Sequence, residues 1–298
     1  MIISWLYRKL RARRAGRAQN LTPQPATVSQ TGSRHGNGAI VTMAVHQFRY
    51  DLRAFLRNRQ SRFFTLALPV QFLIIFASVF GGNGHTIQVA GGRIDASVYY
   101  VPGIITLGII AAAFVNLVIS VTAQRETGVL KRRRATPVPA SAIIAGRALT
   151  AVVTALAIAA VLLGIGWVAY GAHIAARSAP AVIVTIIIGA LSFCSLGYAL
   201  TSVVRNADSV QPITQAVILP LYFISGVFVA TSVLPHWLVD IANIFPVRHL
   251  SAALLVAYNP HTQGSGFAGL DLVVVAAWGA AGLLVALRRF RWLPLGDR

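Results

Sequence analysis

The sequence predicts an all-α, polytopic membrane protein with six transmembrane helices, an N-terminal interfacial amphipathic helix, and short outer-leaflet helices between the fifth and sixth spans. Three observations predict this. First, 56% of the 298 residues are hydrophobic and only 11% are charged, whereas soluble globules carry roughly 25% charged residues. The chain therefore lacks the polar surface to cover a soluble fold. Second, the apolar residues gather into uninterrupted runs of about 20, the length needed to cross roughly 30 Å of hydrocarbon. Third, the charge is lopsided, with 26 Lys+Arg against 7 Asp+Glu, and the basic residues flank the apolar runs. A pI near 11.6 would suit a nucleic-acid binder only if the basic residues shared one folded soluble face. Their placement argues against nucleic acid as a partner.

Two domains are expected. Residues 1–38 form a basic cytoplasmic tail, rich in Pro, Gln, Ser, Thr and Gly, whose Arg8, Lys9, Arg11, Arg13, Arg14 and Arg17 suit contact with anionic lipid. Residues 39–298 form the transmembrane domain. Its first element is an amphipathic helix, in which Val41, Val45, Phe48, Leu52, Phe55 and Leu56 follow helical spacing while Arg49, Arg53 and Arg57 fall elsewhere on the wheel. No soluble core exists for it to pack on, so it is expected to lie in the membrane interface. The six spans follow at 63–80, 99–123, 149–170, 180–203, 212–231 and 268–287, and Asp271 is the one Asp, Glu, Lys or Arg inside them.

With both termini in the cytoplasm, the inner segments hold 23 of the 26 basic residues, leaving Arg93, Arg177 and Arg248 outside. The excess of Lys and Arg on one side orients the bundle in a bacterial inner membrane. Residues 232–266 are too interrupted by Pro235 and Pro246 to span, yet too apolar for a solvated loop. They read as paired short helices in the outer leaflet.

Catalytic signals are missing from this pattern. No glycine is followed by lysine, so the chain contains no phosphate-binding loop of the Gly-x-x-x-x-Gly-Lys-Ser/Thr form, and it is not expected to be an enzyme or to bind a cofactor. The single cysteine, Cys194, allows no internal disulfide. The seven histidines show no metal-site spacing. Buried acids, which mark ion pathways in coupled carriers, are nearly absent, and Asp271 reads as a cap or interfacial residue. Short polar residues in the spans, such as Asn116, Ser120 and Ser192, suit hydrogen bonds between helices.

The most informative segment is the loop after the second span, Gln124-Arg125-Glu126-Thr127-Gly128-Val129-Leu130-Lys131, continuing to Pro137 and Pro139. It sets a lone acid among basic residues just beneath a span. One reading is a topogenic cluster; the other is a short helix that docks into another protein. Its Arg-Glu-x-Gly-x-Leu pattern resembles permeases of type-2 ABC exporters of the daunorubicin-resistance type. A second match is Ser225-Gly226-Val227-Phe228-Val229-Ala230, followed by Leu234-Pro235-His236-Trp237-Leu238 and then Phe245-Pro246. The resemblance covers about 41–290; Ala230 departs from it, where the family often has Pro.

The resemblance implies a transmembrane subunit, paired as a homo- or heterodimer with a second permease subunit, above separate ATPase subunits that hold ATP and Mg. Arg125, Glu126, Thr127, Gly128 and Leu130 would couple to the ATPase. Ser225, Gly226, Phe228, Pro235, Trp237, Phe245 and Pro246 would form the outer gate. The substrate would be an amphipathic drug-like or lipid-like compound, on a route lined by Phe72, Phe76, Tyr222 and Phe223. An ion-coupled carrier or a non-transporting scaffold are the alternative readings.

Overall fold

The computed structural model describes residues 37–81, 84–129, 140–204 and 206–289. Residues 1–36 of the expected tail, Leu130 and most of the loop after it lie outside the described residues, and the last two tail residues, Asn37 and Gly38, open the first helix. The fold is mainly helical. In chain order the elements are α1 (Asn37–Arg57), the single turn α2 (Arg59–Arg62), and α3 (Leu68–Gly81), which follows a π-helical turn at Phe63–Ala67. A hairpin, β1 (Thr86–Val89) and β2 (Gly92–Asp95), leads into α4 (Ala96–Ile110). A second π-turn, Ala111–Val115, joins α4 to α5 (Asn116–Glu126). Then come α6 (Ala140–Tyr170), α7 (Ala179–Thr201), α8 (Ala207–Ile224), α9 (His236–Ala242), α10 (Pro246–Tyr258) and α11 (Gly269–Arg289).

Four stretches are long and apolar enough to cross a membrane: Ala96–Glu126, Ala142–Tyr170, Ala176–Thr201 and Gly269–Arg288. At 31 residues the first is about 46 Å long at 1.5 Å per residue. It is also the most buried and forms the centre of the bundle. The bent pair α9–α10, turned by 98° at Asn243–Phe245, makes a fifth only if both halves count as one span.

Two of the six expected spans are therefore shorter than their runs suggested. The run 63–80 becomes Thr65–Gly81, a shorter apolar helix. The run 212–231 is carried by α8, which starts earlier, at Ala207, and stops at Ile224. It stops there because Gly226 adopts φ +83°, which an α-helix does not accommodate. The helices also extend past the apolar runs at one end, so that Arg125 and Arg147, expected in loops, lie within spanning helices.

The hairpin was not expected from the sequence. It pairs Thr86 with Asp95 and Val89 with Gly92 in antiparallel register. Gly91, at φ +89°, makes the tight turn. Asn259 Nδ2 donates to Ala90 O at 2.9 Å, fixing the hairpin to the loop after α10. Asp95 then caps α4 by accepting from Ser97 N at 2.8 Å.

Helix α1 inverts the burial of a soluble amphipathic helix. Among its residues 41–57 the buried one is Asp51, while Val41, Val45 and Leu56 are exposed. Its polar stripe faces α6, where Asp51 Oδ2 lies 3.3 Å from Arg147 Nε and a Cβ on Gly146 would meet Gln47. Apolar side chains left outside on a helix bound through its polar side suit a lipid environment.

The tightest helix pair is α7 against α11. A Cβ at Gly279 would lie 2.7 Å from Ser192 Cα, and one at Gly282 would lie 2.9 Å from Leu196 N. Small residues are what allow backbones to approach this closely when no hydrophobic force acts between helices. Asp271, in the first turn of α11, is paired: His249 Nδ1 sits 2.6 Å from Asp271 Oδ1, and His249 Nε2 sits 2.8 Å from Asn243 O. This joins α10 and the α9–α10 bend to α11.

Gly279→Val is expected to lower stability by about 1–3 kcal/mol through overpacking. Gly164→Ala, whose Cβ would meet nothing within 4 Å, is expected to stay within about 0.5 kcal/mol of the parent. Thermal unfolding midpoints of the two purified variants in one detergent check the pair.

Candidate functional site

The segment after the central helix is built from two helix ends. Arg125 is in the last turn of α5, and only 3% of it is exposed. Its guanidinium donates to Thr201 O at 2.8 Å and to Val204 O. Carbonyls at the end of a helix have no intrahelical amide to accept from; Thr201 is the last residue of α7 and Val204 lies three residues beyond it. Two fork donors on one planar group serve them together. The next residue turns the other way. Glu126 is exposed, and its Oε1 accepts from Ala207 N at 2.6 Å. Ala207 opens α8, where a carboxylate satisfies an orphan amide and meets the positive end of the helix dipole.

Arg125 and Glu126 thus secure opposite ends of the 202–206 connection. Thr127 donates its hydroxyl back to Ala123 O at 2.9 Å. Gly128 ends the helix at φ +70°, with its amide bonded to Arg125 O, the left-handed conformation that glycine adopts at helix C-termini.

The expected gate residues fall into two groups. Ser225 is buried and its carbonyl accepts from Ser251 Oγ at 2.5 Å. Gly226 O accepts from Tyr99 Oη at 3.3 Å. The turn lies so close to α4 that a Cβ on Gly103 would sit 3.0 Å from Val227 O. Pro246 is buried in the first turn of α10. Phe245 stacks on Trp278 with ring centroids 6.5 Å apart, and Trp278 Nε1 donates to Ile244 O at 3.0 Å. Pro235 immediately precedes α9, and Trp237 projects outward with 62% of its surface exposed.

Phe228 connects this region to the aromatic residues expected to line a route. Its ring centroid is 5.2 Å from Phe72, 5.4 Å from Phe76, 5.5 Å from Tyr222 and 5.3 Å from Phe223. Phe76 continues the cluster to Tyr100 at 5.2 Å. The four side chains come from α3 and α8, distant in sequence, and Phe228 brings them together. Tyr222 is buried and Phe223 is half-exposed, so the cluster reaches the surface of the chain.

Sequence reasoning missed a second polar centre. Arg147 on α6 pairs with Asp51 on α1 and donates to Ser120 Oγ on α5, beside a cavity of about 230 Å³. Arg147 lies only two residues outside an apolar run, and Asp51 is the sole acid on its helix. The long-range pairing of the two had no local signature.

Among known proteins, the ABC-2 type transporter family matches residues 46–258, which holds α3 to α10 and both centres above. The chain belongs to the ABC-2 type transporter family. It is also 27% identical over 284 residues to the daunorubicin resistance ABC transporter permease protein DrrB1 of Streptomyces coeruleorubidus, covering 93% of this chain and 96% of that protein. The chain is therefore a multi-pass membrane protein of a transport family, and the Arg125–Glu126 clamp and the Phe228 cluster lie within the matched region.

Arg125→Met is expected to leave two carbonyls without donors, at about 1–3 kcal/mol each. Arg125→Lys is expected to recover only part of this, because an ammonium cannot reproduce the planar fork. Hydrogen exchange in 201–207, faster in both variants and fastest in Arg125→Met, checks the prediction.

Proposed function

We propose that this chain pairs with a second permease subunit and two separate ATPase subunits to export an amphipathic, drug-like or lipid-like compound across the bacterial inner membrane. Six crossings are assigned to the Thr65–Gly81 helix, Ala96–Glu126, α6, α7, α8 and α11, with both termini cytoplasmic. The shortest of these are accommodated by local thinning of the bilayer or by flanking side chains. The positive-inside distribution of Lys and Arg supports this orientation. The name of the DrrB1 relative supports the drug-like substrate class, and the exposed apolar side chains of α1 support an interfacial elbow.

The observation that carries the reading is Glu126, exposed at the end of the central helix and bonded to the first amide of α8. Helix α8 runs about 23 Å at 1.5 Å per residue from that amide to Tyr222 and Phe223 in the aromatic cluster. A push on the 125–130 segment by an ATPase would therefore move α5 and α8 together, and would reach the Phe228 cluster through a rigid element. In this mechanism the gate residues Ser225, Gly226 and Phe228 respond through the turn at the end of α8. The Asp51–Arg147 pair does not restore the ion-coupled carrier reading, since each charge compensates the other and Asp51 is the one buried acid among the described residues.

Glu126→Gln keeps an oxygen acceptor for Ala207 N, whereas Glu126→Ala removes it. Co-purification with the ATPase subunit and substrate-stimulated ATP hydrolysis in proteoliposomes test the reading. Glu126→Ala is expected to reduce stimulated hydrolysis by roughly tenfold or more, as expected for the loss of a coupling of about 1.4 kcal/mol. Unchanged export in that variant would remove the basis for a coupling role. Transport by the chain in vesicles without any ATPase would overturn the exporter reading itself.

A further inference from the structure

No acid among the described residues balances the charge of Arg248. It is one of three basic residues on the outer side of the proposed topology. Arg177 donates to Thr262 O at 2.8 Å, and Arg93 is exposed on the hairpin. Arg248 is half-buried on α10, and its Nε is enclosed with no hydrogen-bond partner among the described residues. The acids on that side are Asp95, Asp240 and Asp271. Asp95 accepts from Ser97, Asp271 pairs with His249, and Asp240 is exposed on α9. Among the described residues, none of the three forms a salt bridge with Arg248.

The surroundings are polar and carry one sign of charge. Ser251 Oγ donates to Ser225 O at 2.5 Å and to Arg248 O at 3.0 Å, which ties this part of α10 to the turn after α8. A Cβ on Gly226 would meet Thr231 Cγ2 at 3.2 Å, Tyr99 Oη at 3.4 Å and Ser251 Oγ at 3.8 Å, so three hydroxyl-bearing side chains ring that turn. Arg248 is close enough for its charge to act on Tyr99. The Ser225 hydroxyl is fully buried and has no partner among the described residues. Hydroxyls donate or accept, so charge rather than hydrogen bonding selects what binds here. The uncompensated charge is that of the guanidinium. Arg248 is also third in α10, where Phe245 provides no side-chain cap, and the helix dipole adds to the same sign. A guanidinium drawn into protein at a membrane surface is costly unless an anion accompanies it. Its planar fork matches two oxygens of a phosphate or carboxylate.

We propose that Arg248, beside the Ser225–Gly226 turn, binds the phosphate or carboxylate head of an anionic amphiphile, whether a membrane lipid or a compound leaving through the exporter. The outer end of the proposed route thereby gains a preference for negative charge. Binding is measured on the permease chain without an ATPase, so failure of either reading leaves the other standing.

Native mass spectrometry of the full-length chain in maltoside micelles, titrated with dodecyl phosphate, tests this. Other basic residues attract anions more loosely, so the readout is the first equivalent that survives collisional activation. Arg248→Gln is expected to weaken that equivalent by roughly tenfold or more, and Arg93→Gln to leave it within about twofold. Arg248→Lys is expected to weaken it by roughly threefold or more, because an ammonium lacks the planar fork. Dodecyltrimethylammonium has the same chain and the opposite charge, and its retention is expected to be independent of Arg248. A second arm uses phosphatidylglycerol in place of dodecyl phosphate. An Arg248-dependent equivalent of phosphatidylglycerol identifies a membrane lipid as the source; one of dodecyl phosphate alone identifies a single-chain compound. Equal retention of dodecyl phosphate by the parent and Arg248→Gln, an equal loss in Arg93→Gln, or an Arg248-dependent retention of the cationic probe overturns the proposal. Should Arg248→Gln fail to fold, Arg248→Lys decides, and undiminished retention in that variant overturns it.

Discussion

The constraint on which this structure depends is that hydrocarbon offers no hydrogen bonds to backbone groups. A helix satisfies its interior but leaves amides and carbonyls open at each end. Side chains therefore close the ends that meet inside this bundle. Arg125 closes the end of α7, Glu126 closes the start of α8, and Asp95 closes the start of α4. The first two are adjacent in sequence, so one short segment holds two helices. That economy makes the segment a mechanical junction as well as a terminus.

The same constraint shapes the opposite end of α8. Its helix stops at Ile224, and the turn that follows must place its carbonyls. Ser251 donates to one and Tyr99 to the next, from α10 and α4 respectively. Gly226 supplies the left-handed backbone, and Phe228 then enters the space between α3 and α8. An aromatic pair adds about 0.5–1.5 kcal/mol beyond its burial, and Phe228 makes four such contacts. Helix α8 is thus held by polar bonds at both ends and by aromatic rings near one of them. Such an element moves as a unit if it moves at all.

Much of the fold was legible in the sequence because lipid imposes length and polarity on each run. The long central, third and fourth runs are helices much as read, and the interrupted stretch 232–266 contains two helices meeting at a sharp bend. The runs at 63–80 and 212–231 were less faithful, since the positions of helix ends depend on glycine geometry and caps rather than on hydropathy. The hairpin at 86–95 escaped notice because four-residue strands carry little periodicity, and its hold on Asn259 crosses most of the chain. At the site, the Arg-Glu-x-Gly pattern drew attention to the right segment. Its internal bonding was invisible, since Thr201, Val204 and Ala207 are more than 75 residues away.

By itself the sequence determined the environment of this protein: apolar runs too long and too uncharged for water, basic residues gathered at their ends, and a signature that names a transporter class. Those properties follow from composition and spacing, which local chemistry reads without a fold. Tertiary structure decided which polar groups face one another. It turned Arg125 inward, set Asp51 against Arg147, and gathered the rings around Phe228. Those outcomes depend on distances between remote segments, because in a membrane a buried polar group must find its partner within the protein.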